Sequence, residues 1–255
     1  MNLTLMTIEK IPLIQPGDDL AEIIANNTIQ QGIIPQNGDI FVLAQKIVSK
    51  AEGRMVNLTT ITPTAEAFHY SELTKKDPRF VELVLRESNC VVRTAFNTLI
   101  VEHKCGFISA NAGIDHSNVQ GTWGDDMDWV LLLPENPDRS ASQIREKLEK
   151  RFNGSFGVLI IDSHGRAWRN GTVGISIGIS GMPGLIDLRG KPDLFGFHLK
   201  ITQVAAADEL AAGASLLMGQ ASEKTPVVLA RGFPYVLREG NLQELIRPKE
   251  SDLFR

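Results

Sequence analysis

One stretch, Val158–Gly181 (VLIIDSHGRAWRNGTVGISIGISG), constrains the fold of this chain more than any other. Four apolar residues, Val158 to Ile161, run straight into Asp162, Ser163, His164 and Gly165. This is the pattern of a buried strand that pushes a carboxylate out at the sheet edge. Arg166, Trp168 and Arg169 follow, and then Asn170-Gly171, a pair expected to turn the chain. Ile175, Ile177 and Ile179 next alternate with Ser176, Gly178 and Ser180, which predicts a second strand with one small, close-packing face. A carboxylate at a strand end, among cations and glycines, suits a metal or phosphate site. An aspartate that only caps a turn beside solvated arginines would have the same local sequence.

Further elements can be placed around this unit. Asn2 to Ile8 alternates as a strand, and Asp18 is placed to cap a helix through Leu20, Ile23 and Ile24. Ile40 to Ala44 reads as a second buried strand. Gln45, Lys46 and Lys50 follow it directly, so two lysines four residues apart leave the core together and can converge on phosphates, unless they line a solvated helix turn. Pro63 to Phe80 reads as a peripheral helical segment, with Pro78 opening a helix through Val81 to Leu85. Strands are expected at Val91–Arg93 and from Thr98 to Val101, the latter continuing toward Phe107-Ile108. Ser109 to Val119 (SANAGIDHSNV) combines small residues with the oxygen ligands Asp115, Ser117 and Asn118. An acid-rich loop, Gly121 to Asp128, leads to a short strand at Val130 to Pro134. The segment PDRSASQIREKLEKRF is the clearest helix, with Ser140 or Ser142 as its cap. Gly181 to Phe197 is a loop too rich in charge for a linker, and such loops often carry function. A long helix from Thr202, a strand at Pro226 to Gly232 and a peripheral polar tail from Glu239 complete the chain.

With 255 residues the chain can bury a full core, as one domain or two. Its net charge of -4 argues against bulk electrostatic binding of nucleic acid. Cys90 and Cys105 show no ligand spacing and read as buried thiols in a reducing compartment. Glu9, Lys10 and Pro12 interrupt the N-terminal apolar run, so neither a signal peptide nor a membrane span is expected, and the protein reads as cytoplasmic. No Walker A or GxGxxG pattern occurs, and the alternating GISIGISG run does not read as the strand-turn-helix of a nucleophile elbow. His103, His116 and His164 form no HxxxH or HxH pair. Arg166, Arg169 and Arg189 can grip anions bidentately. Asp115 and Asp162 occupy comparable junctions, apolar strand and then acid and hydroxyl, so together they can hold divalent cations over a polyphosphate. The residues therefore point to a metal-dependent enzyme that handles a nucleotide or phosphate, with its acceptor open.

QKIVSKAEGR (Gln45–Arg54), NAGIDHSNV (Asn111–Val119), IIDSHGRAWRNG (Ile160–Gly171), DLRGKPDLFG (Asp187–Gly196) and DELAAGASLLMGQA (Asp208–Ala221) together resemble the coenzyme F420-0:L-glutamate ligase family, the gamma-glutamyl ligases of deazaflavin cofactor biosynthesis. The IPLIQPGDDLAE opening fits as well, and the likeness runs from about Ile8 to Gly232. It implies an α+β fold with mixed β-sheets and flanking helices, one catalytic unit over 1–255 (with a second subdomain boundary unplaced) and an intertwined homodimer. It also implies a GTP-dependent amide ligation: GTP phosphorylates a terminal carboxylate of F420-0, and the amine of L-glutamate displaces the phosphate. By motif match, Asp115, Asp162 and Arg166 would be catalytic. Asp115, Asp162, Ser163 and Gln220 would hold magnesium or manganese at two sites, with potassium also used. Ile11, Pro12, Leu13 and Ile14, Gln45, Lys46, Lys50 and Asn118, and Met218, Gly219, Ser222, Lys224 and Thr225 would contact GTP. The chain departs from the family pattern at His164, where an apolar residue is usual, at Gly174, often an aspartate, and at Phe197-His198, usually an arginine-glutamate pair. These departures bear on the acceptor more than on the nucleotide. A related ligase or kinase acting on another carboxylate, or a silent nucleotide-binding paralogue, would share most of these residues.

Overall fold

The structure, a computed structural model, describes residues 2–253. Its centre is a five-stranded mixed sheet in the order β1-β12-β2-β8-β9. In chain order these are β1 (Thr4–Thr7), β2 (Ile40–Ala44), β8 (Gly157–Arg166), β9 (Arg169–Ser180) and β12 (Val227–Arg231). Only β2 and β8 pair in parallel, from Ile40 opposite Gly157 to Ala44 opposite Ile161. Continuous apolar runs are what a strand covered on both faces requires, and alternate residues of β2 and β8 divide between two cores. Phe41, Leu43, Val158 and Ile160 pack with Ile24 of α1 (Leu20–Gln30) and Leu148 of α5 (Pro137–Phe152). Ile40, Val42, Leu159 and Ile161 pack with Leu210 and Ala214 of α6 (Ala206–Met218).

A third core belongs to the segment between α2 (Gln45–Ala51) and α5. It contains β3 (Met55–Asn57), α3 (Ala65–Thr74), α4 (Pro78–Arg86), β4 (Ser88–Ala95), β5 (Thr98–His103), β6 (Ile108–Ala110) and β7 (Trp129–Leu131). Phe80, Val84, Leu99, Val101, Ile114 and Val130 pack together there. Strands β4, β5 and β6 form one antiparallel sheet, and β3 pairs with β7. A two-stranded ribbon, β10 (Ile186–Asp187) with β11 (Gln203–Val204), carries the exposed loop between them. Among the described residues no helix is long and apolar enough to cross a membrane.

The edge strand β9 shows why its small residues are needed. A Cβ at Gly178 would lie 2.5 Å from the Pro137 carbonyl oxygen, and one at Gly174 would lie 2.6 Å from that of Ala211. Two helix backbones thus touch the strand at positions without side chains. Its outer N–H groups are also capped by those helices: Ser176 donates to Asp208 at 2.9 Å and Ile179 to Asp138 at 2.7 Å. Both bonds blunt an edge that would otherwise offer itself for strand pairing.

Several expectations are corrected. The hairpin turns at Ala167-Trp168, with Trp168 at φ 64°, and Asn170-Gly171 instead lies within β9. Those two residues take up a register shift between the pairs Gly165–Thr172 and Arg166–Arg169, because the buried halves of the strands set the pairing and local turn preference yields to it. A second shift, at Ile160/Ile161, breaks the alternation of β9, so Ile175 and Ile177 join the α1/α5 core while Ile179 joins that of α6. Helix α1 is capped by Asp19, whereas Asp18 closes the preceding turn onto the Gln15 N–H. Asn136, not Ser140 or Ser142, caps α5, since Pro137 already occupies its first turn. The strand from Thr98 ends at His103 and reverses through Lys104–Gly106 into β6. The segment Pro63–Phe80 is interrupted at Lys75, which adopts a left-handed φ of 61° before Asp77 caps α4. Cys90 is exposed and Cys105 half-buried. The tail is not wholly peripheral: Leu242 joins the main core, and Glu244 accepts the N–H groups of Gly184 and Leu185.

Substituting Gly178→Ala should lower stability by about 1–3 kcal/mol, the usual cost of overpacking, read as a lower urea midpoint. Gly165→Ala, whose Cβ would meet nothing within 4 Å, should leave the midpoint almost unchanged.

Candidate active site

Strands β2 and β8 stop pairing together, at Ala44 and Ile161. Beyond that line the chain places Gln45 and Lys46 at the start of α2 and Asp162 on β8. Gln45 is buried, and its Oε1 accepts the Ser49 hydroxyl at 2.9 Å. Lys46 and Lys50, one helical turn apart, both reach across to the segment after β6. Lys46 Nζ lies 2.6 Å from Asp115 Oδ2 and donates to the Ser117 hydroxyl and carbonyl, while Lys50 donates to the Asn118 carbonyl at 2.7 Å.

Asp115 is aimed by an unusual backbone. Asn111, Ala112 and Gly113 take φ values of 52°, 53° and 67°, a run of left-handed residues that costs free energy unless the surroundings enforce it. The surroundings are specific. Asn111 Oδ1 accepts the Leu99 N–H at 3.0 Å, Ala112 is fully buried, and a Cβ on Gly113 would meet Leu133 Cδ1 at 2.7 Å. Asp115 then exchanges both backbone hydrogen bonds with Leu131, and its Oδ1 accepts the Ser117 N–H at 2.7 Å.

Two adjoining cavities share Asp115, Asp162 and Ser163 as wall residues. The first, of about 730 Å³, takes in Leu13 and Ile14 from the N-terminal turn, Gln45, Lys46 and Lys50 from α2, and Asn118. Met218, Gly219, Gln220, Ser222, Lys224 and Thr225 line it from the end of α6. The site residues read from the sequence therefore converge here, with three exceptions. Ile11 packs against the main core and Pro12 faces solvent, so neither lines the cavity. Arg166 lines the second cavity, of about 710 Å³, instead. Gln15, Thr172 and Ser215 on one side and Arg93, Ile100 and Ile108 on the other are wall residues missed from the sequence. They come from elements with their own structural pattern, and nothing local marks them. Of the departures from the family pattern, only His164 reaches a cavity wall. Gly174 is packed under α6, and Phe197 and His198 lie on the exposed loop.

The electrostatics are uneven. Burial would raise the Asp115 carboxyl, but the Lys46 ammonium and the Ser117 N–H outweigh it and hold the group below the ordinary carboxylate value. Burial, and then repulsion from Lys46, lowers the Lys50 ammonium. Among the described residues Asp162 has no lysine or arginine partner. His164 Nε2 lies 2.9 Å from its Oδ2 but outside hydrogen-bonding geometry, and the imidazole is buried against Phe107. His103, stacked on the other contact of the same Phe107 ring, is pushed down to about 4 by burial and by the nearby cations Arg54 and Lys104.

Among the described residues no three of His, Cys, Asp and Glu stand close enough to hold a metal ion between them. The cavity wall offers instead the carboxylates of Asp115 and Asp162, the hydroxyl of Ser163 and the amide of Gln220, each with an oxygen to donate. Such a set fits a hard divalent cation whose remaining positions are filled by phosphate oxygens and water.

The depressed Asp115 pKa stabilises the fold above the unfolded-state value, and that contribution is lost as the pH falls through the folded-state value. In Lys46→Met, burial loses its main opponent, so the Asp115 titration, followed by NMR of the side-chain carboxyl, should move upward. A position at or below that of the unsubstituted protein would contradict the pairing.

The profile of the family described as F420-0:Gamma-glutamyl ligase matches residues 9–232. The coenzyme F420:L-glutamate ligase of Methanothermobacter thermautotrophicus is 42% identical over 257 aligned positions covering 100% of both chains. That of Methanopyrus kandleri is 43% identical, covering 98% of each. The Archaeoglobus fulgidus protein of the same name is 38% identical, over 100% of this chain and 97% of its own. The chain belongs to the F420-0:gamma-glutamyl ligase family.

Proposed function

We propose that this protein joins L-glutamate to coenzyme F420-0 through a gamma-glutamyl amide bond, using GTP and divalent metal. The observation that carries the reading is that Asp115 and Asp162, from separate parts of the chain, both line the wall shared by two cavities, one of them lined by Lys46, Lys50 and Lys224. A nucleotide polyphosphate suits the lysine-lined cavity, where ammonium groups offset its charge. An acceptor carboxylate brought to the shared wall would attack the γ-phosphorus as GDP departs. The glutamate amine would then attack the acyl carbon, losing its proton as phosphate leaves.

In this reading Asp115, Asp162, Ser163 and Gln220 would hold magnesium or manganese, and potassium would assist. The metal, when bound, supplies charge neutralisation along the phosphates. Lys46, whose ammonium pairs with Asp115, would orient the phosphates. Gln45 stays buried beneath the site, bonded to Ser49, and keeps the first turn of α2 in place. Asn118, in a left-handed conformation at φ 56°, ties the segment after Asp115 to the Ala221 carbonyl and so joins two walls of the cavity. A homodimer is part of the same proposal. Leu194 and Phe195, at 96% and 95% exposure on the loop between β10 and β11, give it apolar surface to bury.

Purified protein given GTP, F420-0, glutamate and manganese should release GDP only with all four present, and GDP release indifferent to F420-0 would remove this acceptor. Asp162→Asn should weaken manganese binding in the presence of GDP about tenfold or more and cut turnover about a hundredfold or more, with an unchanged urea midpoint. Near-normal turnover would take Asp162 out of the site. Lys46→Ala should raise the KM for GTP more than that for glutamate, and the opposite order would place Lys46 elsewhere.

A further inference from the structure

The second cavity, of about 710 Å³, contains none of the three lysines that line its neighbour. Its wall has two chemistries. Val92, Ile100, Ile108 and Ile114 supply an apolar side, drawn from β4, β5, β6 and the turn that follows. Arg93 of β4 and Arg166 at the end of β8 supply two guanidinium groups. Among the described residues neither side chain makes a hydrogen bond or ion pair. Asp252, from the C-terminal segment, also borders the space.

Size separates the possible occupants. The volume falls within the range of about 300–1,000 Å³ usual for pockets that enclose cofactor-sized ligands, and a single amino acid would leave most of it empty. Charge separates them too, since a triphosphate is better matched by three lysines next door than by two guanidiniums beside an apolar wall. A ligand that fits has an apolar or ring-bearing body, an anionic group or two to meet planar, bidentate donors, and a carboxylate that reaches Asp115 and Asp162.

We infer that this cavity is the acceptor pocket, and that Arg93 with Arg166 determines specificity for an anionic, cofactor-sized carboxylic acid. The inference rests on the ligase reading above for the identity of the reaction, but the pocket can be tested separately. Arg93 is exposed on a strand, so Arg93→Gln should fold normally, as its urea midpoint will show. Two measurements follow: equilibrium dialysis of F420-0 without nucleotide, and steady-state KM values for F420-0 and GTP. Arg93→Gln should weaken F420-0 binding and raise its KM by about tenfold or more, as loss of a charged donor to an anion does, while the KM for GTP stays within about twofold. Ile108→Trp, which fills the apolar side, should likewise weaken F420-0 and spare GDP binding. If the unsubstituted protein binds F420-0 but does not ligate it, the ligase reading fails and the pocket stands provided Arg93→Gln weakens that binding. Equal effects of Arg93→Gln on F420-0 and GTP, no effect on F420-0, or no binding of F420-0 at all would each overturn the pocket assignment.

Discussion

Two buried strands, β2 and β8, lie parallel within the main sheet and stop pairing at Ala44 and Ile161, and the rest of the molecule is arranged about that line. Ile40 to Leu43 and Val158 to Ile160 are fully buried, and Ile161 nearly so. At about 1.5–3 kcal/mol for each large apolar side chain withdrawn from water, this core outweighs any polar contact in the site. The ion pair between Lys46 and Asp115 is 27% exposed at the lysine and 34% at the aspartate, so its net contribution is about 1 kcal/mol or less. Packing therefore fixes where the charged groups stand. The charges organise the cavity walls and add little to the stability of the fold.

The same constraint explains how two cores come to share one site. The main sheet supplies Asp162 and, through the helix that follows β2, Lys46, while Asp115 arrives on the turn that leaves β6, held by its bridge to Leu131. Lysine-to-acid and lysine-to-carbonyl contacts then span 69 positions for Lys46–Asp115 and 68 for Lys50–Asn118. The left-handed run at Asn111–Gly113 is tolerated because a buried alanine, an asparagine bonded to β5 and a leucine against the glycine leave no other path. Strain held in that way, next to candidate ligands, is what a pre-shaped site requires.

Asp138 and Asp208 show a second use of buried acids. Each carboxylate near a helix start accepts a backbone N–H of β9, and Asp138 also accepts that of Leu242. Burial, against those hydrogen bonds, leaves the Asp138 carboxyl above its ordinary value. The group therefore favours the fold when protonated, and that advantage is lost as the pH rises through its folded-state pKa. The edge of the sheet, the start of α5 and the C-terminal segment meet at Asp138.

What the sequence by itself determined was local and periodic. The apolar runs of β2 and β8, the helix of α5 and the junctions of strand and acid at Asp162 were legible because solvent exclusion imposes a period on neighbouring residues. Five motifs in register carried the family. Tertiary structure alone decided the rest. It moved the hairpin turn from Asn170-Gly171 to Ala167-Trp168 because register in a long buried pair outweighs a local turn preference. It chose Asp19 and Asn136 over neighbouring caps, because the residue that caps is the one whose side chain the incoming chain points at the helix start. It sent Arg166 to a different cavity from Lys46 and set Arg93 on the wall of that same cavity, a juxtaposition of distant strands that no spacing along the chain encodes.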